Sequence, residues 1–180
     1  MTGPMLWFAN RGTGVVLLLL LTLSTMLGVL STARATGPRW PRMLSQGLHR
    51  NVSLLAVVFL AAHTVTAVVD SYVDIRWWDA LVPFMSPYRT PWLGFGTLSL
   101  DLLVAVSVTS MLRHRMSHRP WRAVHVLAYA SWGLGLLHGI QGTDSATVWG
   151  AAVNYGCIAA VSVAVFARFG LLARSTVVTS

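Results

Sequence analysis

Long apolar stretches alternate with short polar breaks along the whole chain. Five of the stretches have about the 17 to 25 residues that a helix needs to cross the roughly 30 Å hydrocarbon layer of a bilayer. They are predicted at residues 11–32, 48–71, 92–112, 122–140 and 147–172. The breaks contain the proline, glycine and serine residues typical of loops. This pattern predicts an all-α, polytopic membrane bundle of about five transmembrane helices, with residues 1–180 forming a single domain.

The composition supports a membrane protein. Of the 180 residues, 55% are hydrophobic and only 10% are charged, with a mean hydropathy of +0.65, whereas about a quarter of a soluble domain is charged. The net charge of +8 is the balance of 13 arginines and 5 aspartates, since the chain has neither lysine nor glutamate. Because these arginines lie mostly between the apolar stretches, they indicate membrane topology, and we expect no nucleic-acid partner.

The charges also predict an orientation. Three basic groups alternate so that they fall on one side of the membrane: Arg34, Arg39, Arg42 and Arg50; Arg113, Arg115, Arg119 and Arg122; Arg168 and Arg174. The other side holds Arg11, Arg76 and Arg89 with Asp70, Asp74, Asp79 and Asp144. By the positive-inside rule, the N-terminus lies outside and the C-terminus in the cytoplasm of a multi-pass protein in a bacterial inner or plasma membrane.

The first stretch has a second interpretation. Ala33, Arg34 and Ala35 follow it in a small-residue pattern that can end a cleaved signal peptide. The arginines directly after it oppose export, so we expect a retained membrane helix.

Four histidines stand inside apolar stretches, where polar groups are costly and usually functional. His49 and His63 are fourteen residues apart in the second stretch, and His125 and His138 are thirteen apart in the fourth. These two helices run in the same direction, so each histidine finds a counterpart at its own depth. The two depths lie roughly 20 Å apart at ~1.5 Å per residue. Two facing imidazoles at each depth can supply both axial ligands of two stacked haems.

The spacing in the fourth helix is less regular than that in the second. Fourteen residues fall only about 40° short of whole turns, but thirteen residues turn His138 about 140° away from His125. Either the haems approach this helix from different sides, or it is distorted near Gly133 and Gly135.

The residues around the histidines resemble a known family. The patterns LHRNxSLLxxxFLxxHT and WRxxHxLxYxxWxLxxxHG are similar to the ferric reductase-like transmembrane domain. That family includes the membrane parts of NADPH oxidases and ferric reductases, and the haem-binding subunit of the bacterial methionine sulfoxide reductase system. The resemblance implies two b-type haems, with His49 and His125 on the inner iron and His63 and His138 on the outer. It also places Arg11 near the outer propionates.

The chain departs from that family in two ways. Many members have six helices, and many carry a flavin- and NADPH-binding segment that these 180 residues lack. We therefore expect flavin or quinone to act only through a partner or a separate site.

Other residues have weaker assignments. Arg50 and Arg122 flank the inner histidines and are candidates for holding propionates, with interfacial anchoring as the alternative. Asp101 lies inside the third stretch, where an acid is costly. It is a candidate for a proton path or a quinone site, and the alternative is a structural role as a protonated or hydrogen-bonded acid. His114 and His118 are expected on the surface. Trp132 is a candidate for packing against porphyrin.

The sequence therefore predicts a cytochrome b-like membrane component of an oxidoreductase. Electrons enter from a cytoplasmic flavin reductase or a membrane quinol and leave to ferric iron, oxygen or a periplasmic redox partner. Besides membrane lipid, its partners are thus a separate electron donor and an external acceptor. The alternatives are a haem-binding or haem-handling membrane protein without turnover and a small transporter.

Overall fold

The computed structural model describes residues 3–32, 42–71, 73–142 and 148–177. This part of the chain contains five α-helices and no strand. They are α1 (Gly3–Thr32), α2 (Arg42–Val69), α3 (Thr90–Met111), α4 (His118–Gly142) and α5 (Val148–Val177), with a short 3₁₀ helix at Arg113–Arg115. All five are long and apolar enough to span a membrane. The prediction of an all-α membrane bundle is confirmed.

Four helices begin earlier than the hydropathy pattern predicts, the first two by the largest margin. The first begins at Gly3 and the second at Arg42, whereas the apolar stretches begin at residues 11 and 48. Hydropathy marks the lipid-facing part of a helix, but the backbone hydrogen bonds continue past it. With 30 residues, α1 is about 45 Å long, which exceeds the roughly 30 Å hydrocarbon layer.

The helices form two hairpins. The α1 helix packs against α2, and α3 packs against α4, while α1 also contacts α4 and α5. The α2 and α4 backbones are not closely packed against each other. Between the hairpins lies a small core in which Leu17, Leu21, Ala56 and Leu103 contact Trp132. Ala56 of α2 and Trp132 of α4 belong to this cluster, and each lies between the two histidines of its helix in the sequence.

A pair of serines joins α3 to α4. The Ser99 hydroxyl donates to the Ser131 carbonyl and the Ser131 hydroxyl to the Ser99 carbonyl, each at 2.8 Å. A Cβ on Gly135 would lie 3.2 Å from Ser99 Oγ. Small residues and interhelical hydrogen bonds are the usual means of close packing between membrane helices.

The outside of the bundle is apolar. Large exposed side chains occur on every spanning helix, among them Phe8, Leu54, Val108, Val126 and Phe166. In a bilayer these side chains contact lipid tails. The membrane environment predicted from composition therefore agrees with the surface.

Some sequence predictions concern residues that are not described. Arg34, Arg39, Asp144 and the Ala33–Ala35 pattern lie outside the described residues, as do the side chains of Arg42 and Arg174. The first helix itself is part of the bundle, since it packs against α2, α4 and α5.

Candidate functional site

The four membrane histidines form two facing pairs. The ring centres of His49 and His125 are 6.2 Å apart with an interplanar angle of 76°. Those of His63 and His138 are 6.1 Å apart at 75°. We name these the inner pair and the outer pair, after the sides that the charge pattern predicts. The structure thus brings together the partners expected from the sequence.

Each ring is held through its Nδ1 atom by a neighbouring helix. The Nδ1 atoms of His49, His63 and His138 lie 3.1, 3.0 and 2.9 Å from the backbone oxygens of Ser24, Asn10 and Trp92, respectively. The fourth, on His125, lies 3.4 Å from the Ser110 hydroxyl. Because a carbonyl oxygen only accepts, the first three Nδ1 atoms must carry the hydrogen. Their Nε2 atoms are then left with a free lone pair.

This arrangement leaves the two rings of the outer pair without a hydrogen bond between them. With both Nε2 atoms acting as acceptors, the two neutral rings cannot hydrogen bond to each other. Metal-binding histidines typically donate their other N–H to a carbonyl or carboxylate in the same way, which fixes the ring and its tautomer. The outer pair therefore has the hydrogen bonding of a metal-binding pair.

The ring separation matches one metal ion between the imidazoles. A metal ion lies about 2.0 to 2.1 Å from an imidazole nitrogen, which lies about 1.1 Å from its ring centre. Two rings on opposite sides of one ion would then have centres roughly 6.2 to 6.4 Å apart. The observed 6.2 and 6.1 Å agree with this distance.

Each histidine pair offers two protein ligands. Among the described residues, no group of three or more histidine, cysteine, aspartate or glutamate side chains could hold a metal ion. Zinc sites in proteins use three or four such ligands. Two opposed imidazoles instead suit a metal whose remaining positions are filled by a macrocycle, as in haem.

Two glycines make room for the outer pair. A Cβ on Gly14 would lie 2.9 Å from His63 Cε1, and one on Gly96 would lie 2.7 Å from His138 Nδ1. Both distances are shorter than side-chain contacts allow, so a larger residue at either position would require the ring or the helix to move. The sequence interpretation missed this role. Gly14 and Gly96 each lie one helical turn after the residue whose backbone carbonyl holds the ring, Asn10 and Trp92.

The outer pair opens on a cavity of about 240 Å³ that also reaches Arg11 and Arg89. The Arg11 guanidinium lies 4.2 Å from the centre of the Trp7 ring, and Arg89 begins α3 from a left-handed backbone conformation with φ of 42°. The cavity is thus lined by both signs of charge, since Asp70 and Asp79 lie in its wall with the two arginines. Arg76, the third arginine predicted on this side, instead points to Asp79, with its Nε 3.6 Å from Oδ2.

Asp79 holds the segment between α2 and α3 against α3 by hydrogen bonds, and it lines this cavity. Its side chain is buried, its Oδ2 accepts from the Arg76 backbone N–H at 2.9 Å, and its backbone carbonyl accepts from the Thr97 hydroxyl at 2.8 Å. The other carboxylate oxygen, Oδ1, has no hydrogen-bond partner in the described part of the chain. Asp79 therefore has a structural function that the sequence did not suggest.

The inner pair has a different neighbour from the one expected. Arg50 and Arg122 are exposed, and no described contact joins either of them to the inner histidines. Instead, the Trp121 ring is stacked on His125, with centres 4.9 Å apart and planes at 22°. The buried Trp121 Nε1 has no acceptor among the described residues.

The remaining residues are placed as follows. The α4 helix runs unbroken from His118 to Gly142, so of the two alternatives for its thirteen-residue spacing, the bulge is not observed. The Trp132 indole donates to the Thr22 hydroxyl at 2.9 Å and packs in the core.

Asp101 is half-buried, and His114 and His118 are exposed. The His118 ring lies 5.7 Å from that of Trp121.

Comparison with known proteins gives a family but no activity. A family model described as a domain of unknown function (DUF8596) matches residues 5–144. The chain belongs to this family. The DUF8596 match includes all four histidines and both glycines that contact the outer pair. No curated protein and no solved structure matches the chain.

Proposed function

We propose that this DUF8596 protein is a di-haem membrane protein that carries electrons across the bilayer. Each histidine pair holds one b-type haem, and the two haems lie at different depths. The observation that carries the proposal is the geometry of the pairs: imidazoles 6.2 and 6.1 Å apart, fixed through Nδ1, with no third protein ligand described nearby. The resemblance of the histidine motifs to the ferric reductase-like transmembrane domain points the same way.

The protein residues have separate tasks in this proposal. The four Nε2 atoms are the iron ligands, and the Nδ1 hydrogen bonds hold the rings so that they cannot rotate away. Arg11 and Arg89 at the outer cavity bind propionates. When bound, a haem with two imidazole ligands changes oxidation state by one electron and leaves no coordination position open. The site is thus suited to electron transfer rather than to binding oxygen at iron.

The depth of the pairs supports transfer across the membrane. His49 and His63 are fourteen residues apart on one helix, so the inner and outer pairs lie about 20 Å apart along it. That is a large part of the roughly 30 Å hydrocarbon layer. With the orientation predicted from the arginines, electrons enter near the inner pair from a flavin reductase or quinol. They leave near the outer pair to ferric iron, oxygen or a periplasmic partner.

Transfer can be measured in liposomes. Haem-loaded protein is reconstituted into vesicles that enclose dithionite, and reduction of external ferricyanide is followed by its colour. The wild-type protein should reduce ferricyanide faster than protein-free vesicles, and His49→Ala and His63→Ala should each abolish the difference. A haem-loaded wild-type protein no faster than empty vesicles would support a haem-handling protein instead.

A further inference from the structure

A stack of three side chains links the inner pair to the loop between α3 and α4. The Arg113 guanidinium lies 4.4 Å from the centre of the Trp121 ring. Trp121 in turn lies parallel to His125, with centres 4.9 Å apart. His125 faces His49 across the position proposed for the inner iron. The order is therefore guanidinium, indole, imidazole and then the position where His49 and His125 would hold a metal.

The contacts are specific to Arg113. The 3₁₀ helix Arg113–Arg115 carries two arginines and one histidine, all exposed. Only Arg113 lies over Trp121 in the described structure. A guanidinium over an indole face is favourable, because the ring carries negative potential there. This contact holds the positive charge of the exposed Arg113 side chain at a fixed position relative to the inner pair.

Resting on the function proposed above, we propose that Arg113 and Trp121 are positioning residues that raise the reduction potential of the inner haem. A nearby positive charge favours the reduced iron, which carries one positive charge less than the oxidised iron. The outer pair has no part in this stack. The stack therefore makes the inner haem a better acceptor for electrons that arrive at the cytoplasmic loop.

The expected size of the effect follows from the distances. Along the stack, the guanidinium is at most about 12 Å from the midpoint of the inner pair. At that distance, and for an effective dielectric constant of roughly 20 to 40, one charge changes the ratio of reduced to oxidised haem about threefold to tenfold. A tenfold change is about 59 mV for one electron.

The test is a spectroelectrochemical titration of variants. It is done in the wild type and in a His138→Ala background, which we expect to keep only the inner haem. Arg113→Gln should lower the ratio of reduced to oxidised inner haem about threefold to tenfold at a fixed potential, and Arg113→Lys should restore most of it. Trp121→Leu should resemble Arg113→Gln, because the guanidinium is no longer held. Arg115→Gln is the matched control, since it removes one charge from the same 3₁₀ helix without touching the stack.

The outcomes separate this inference from the proposed function. If Arg113→Gln retains both haems and its inner haem has the same potential as in the wild type, the inference is overturned. The proposed function would not be affected by that result. Equal shifts in Arg113→Gln and Arg115→Gln would also overturn it, because they would indicate the general charge of the loop. A wild-type protein that binds no haem would refute the proposed function and the inference together.

Discussion

Replacing Gly14 with alanine would place a methyl group in the space that the His63 ring occupies. The new Cβ would lie 2.9 Å from His63 Cε1 and 3.1 Å from Nδ1. Carbon atoms in contact ordinarily lie about 3.5 to 4.0 Å apart, so the ring or the helix has to move by roughly 0.6 to 1 Å. The ring is not free to turn, because its Nδ1 donates to the Asn10 carbonyl at 3.0 Å.

A movement of this size is incompatible with an axial iron bond. Metal–ligand distances in proteins lie within about ±0.2 Å of their usual values. Because His138 is held separately by the Trp92 carbonyl, a shift of His63 several times that size would leave the two rings unable to share one iron. We expect Gly14→Ala to lose the outer haem. The inner pair lies about 20 Å further along α2 and should keep its haem, so the haem content per chain should fall by half.

Gly12 offers a matched control on the same helix. It lies two residues before Gly14, and a Cβ there would meet nothing within 4 Å. Both substitutions replace a helical glycine by alanine, which favours the helix by about 0.8 to 1 kcal/mol. Gly12→Ala should therefore keep both haems and unfold at an equal or higher temperature. Haem per chain, the reduced-minus-oxidised spectrum and thermal unfolding are measured for both variants.

Two results would refute this reasoning. If Gly14→Ala retains both haems with an unchanged spectrum, then His63 is not an iron ligand in the position described. If a folded, monodisperse Gly14→Ala protein loses both haems, then the two sites are not independent.

The remaining predictions concern the pairs, the core and the donor. Alanine at either member of a pair should remove the haem of that pair, and the double substitution within a pair should add little, because a lost haem cannot be lost twice; His114→Ala should keep both haems. Depletion of the same haem by one substitution from each pair would contradict the pairing. Thr22→Val should lower the free energy of unfolding by about 1 to 3 kcal/mol, because the Trp132 indole N–H loses its acceptor in the core. Thr109→Val is the control, since that hydroxyl bonds only to carbonyls of its own helix; equal losses of stability in denaturant titrations would refute the effect. NADPH alone should not reduce the purified chain, since its described helices leave no strand-turn-helix for a dinucleotide; rapid haem reduction would be the contrary result.

The sequence predicted the helices and the pairs because both depend on local pattern. Apolar stretches of sufficient length identify membrane helices without any knowledge of tertiary contacts. Two histidines at nearly equal spacing on parallel helices then lie at two matching depths, and they meet there if the two helices face each other. The five helices are observed, and so are the two facing pairs.

The surroundings of the pairs could not be predicted in the same way. His63 is held by a residue 53 positions away in the chain, and His138 by the carbonyl of Trp92. A backbone carbonyl is present at every position, so it leaves no signal in the sequence. The assignment of Arg50 and Arg122 to the inner site followed their nearness in sequence. The structure instead has Arg113 near His125, through the intervening Trp121.

The most direct test of the di-haem site is the haem content and spectrum of the purified wild-type protein. Haem is extracted and quantified per chain, and the visible spectrum is recorded in the oxidised and reduced states. We expect two b-type haems per chain, both low-spin, because each iron has two imidazole ligands. A colourless protein, or a single high-spin haem per chain, would contradict the account and would favour the small transporter or a haem-handling protein, respectively.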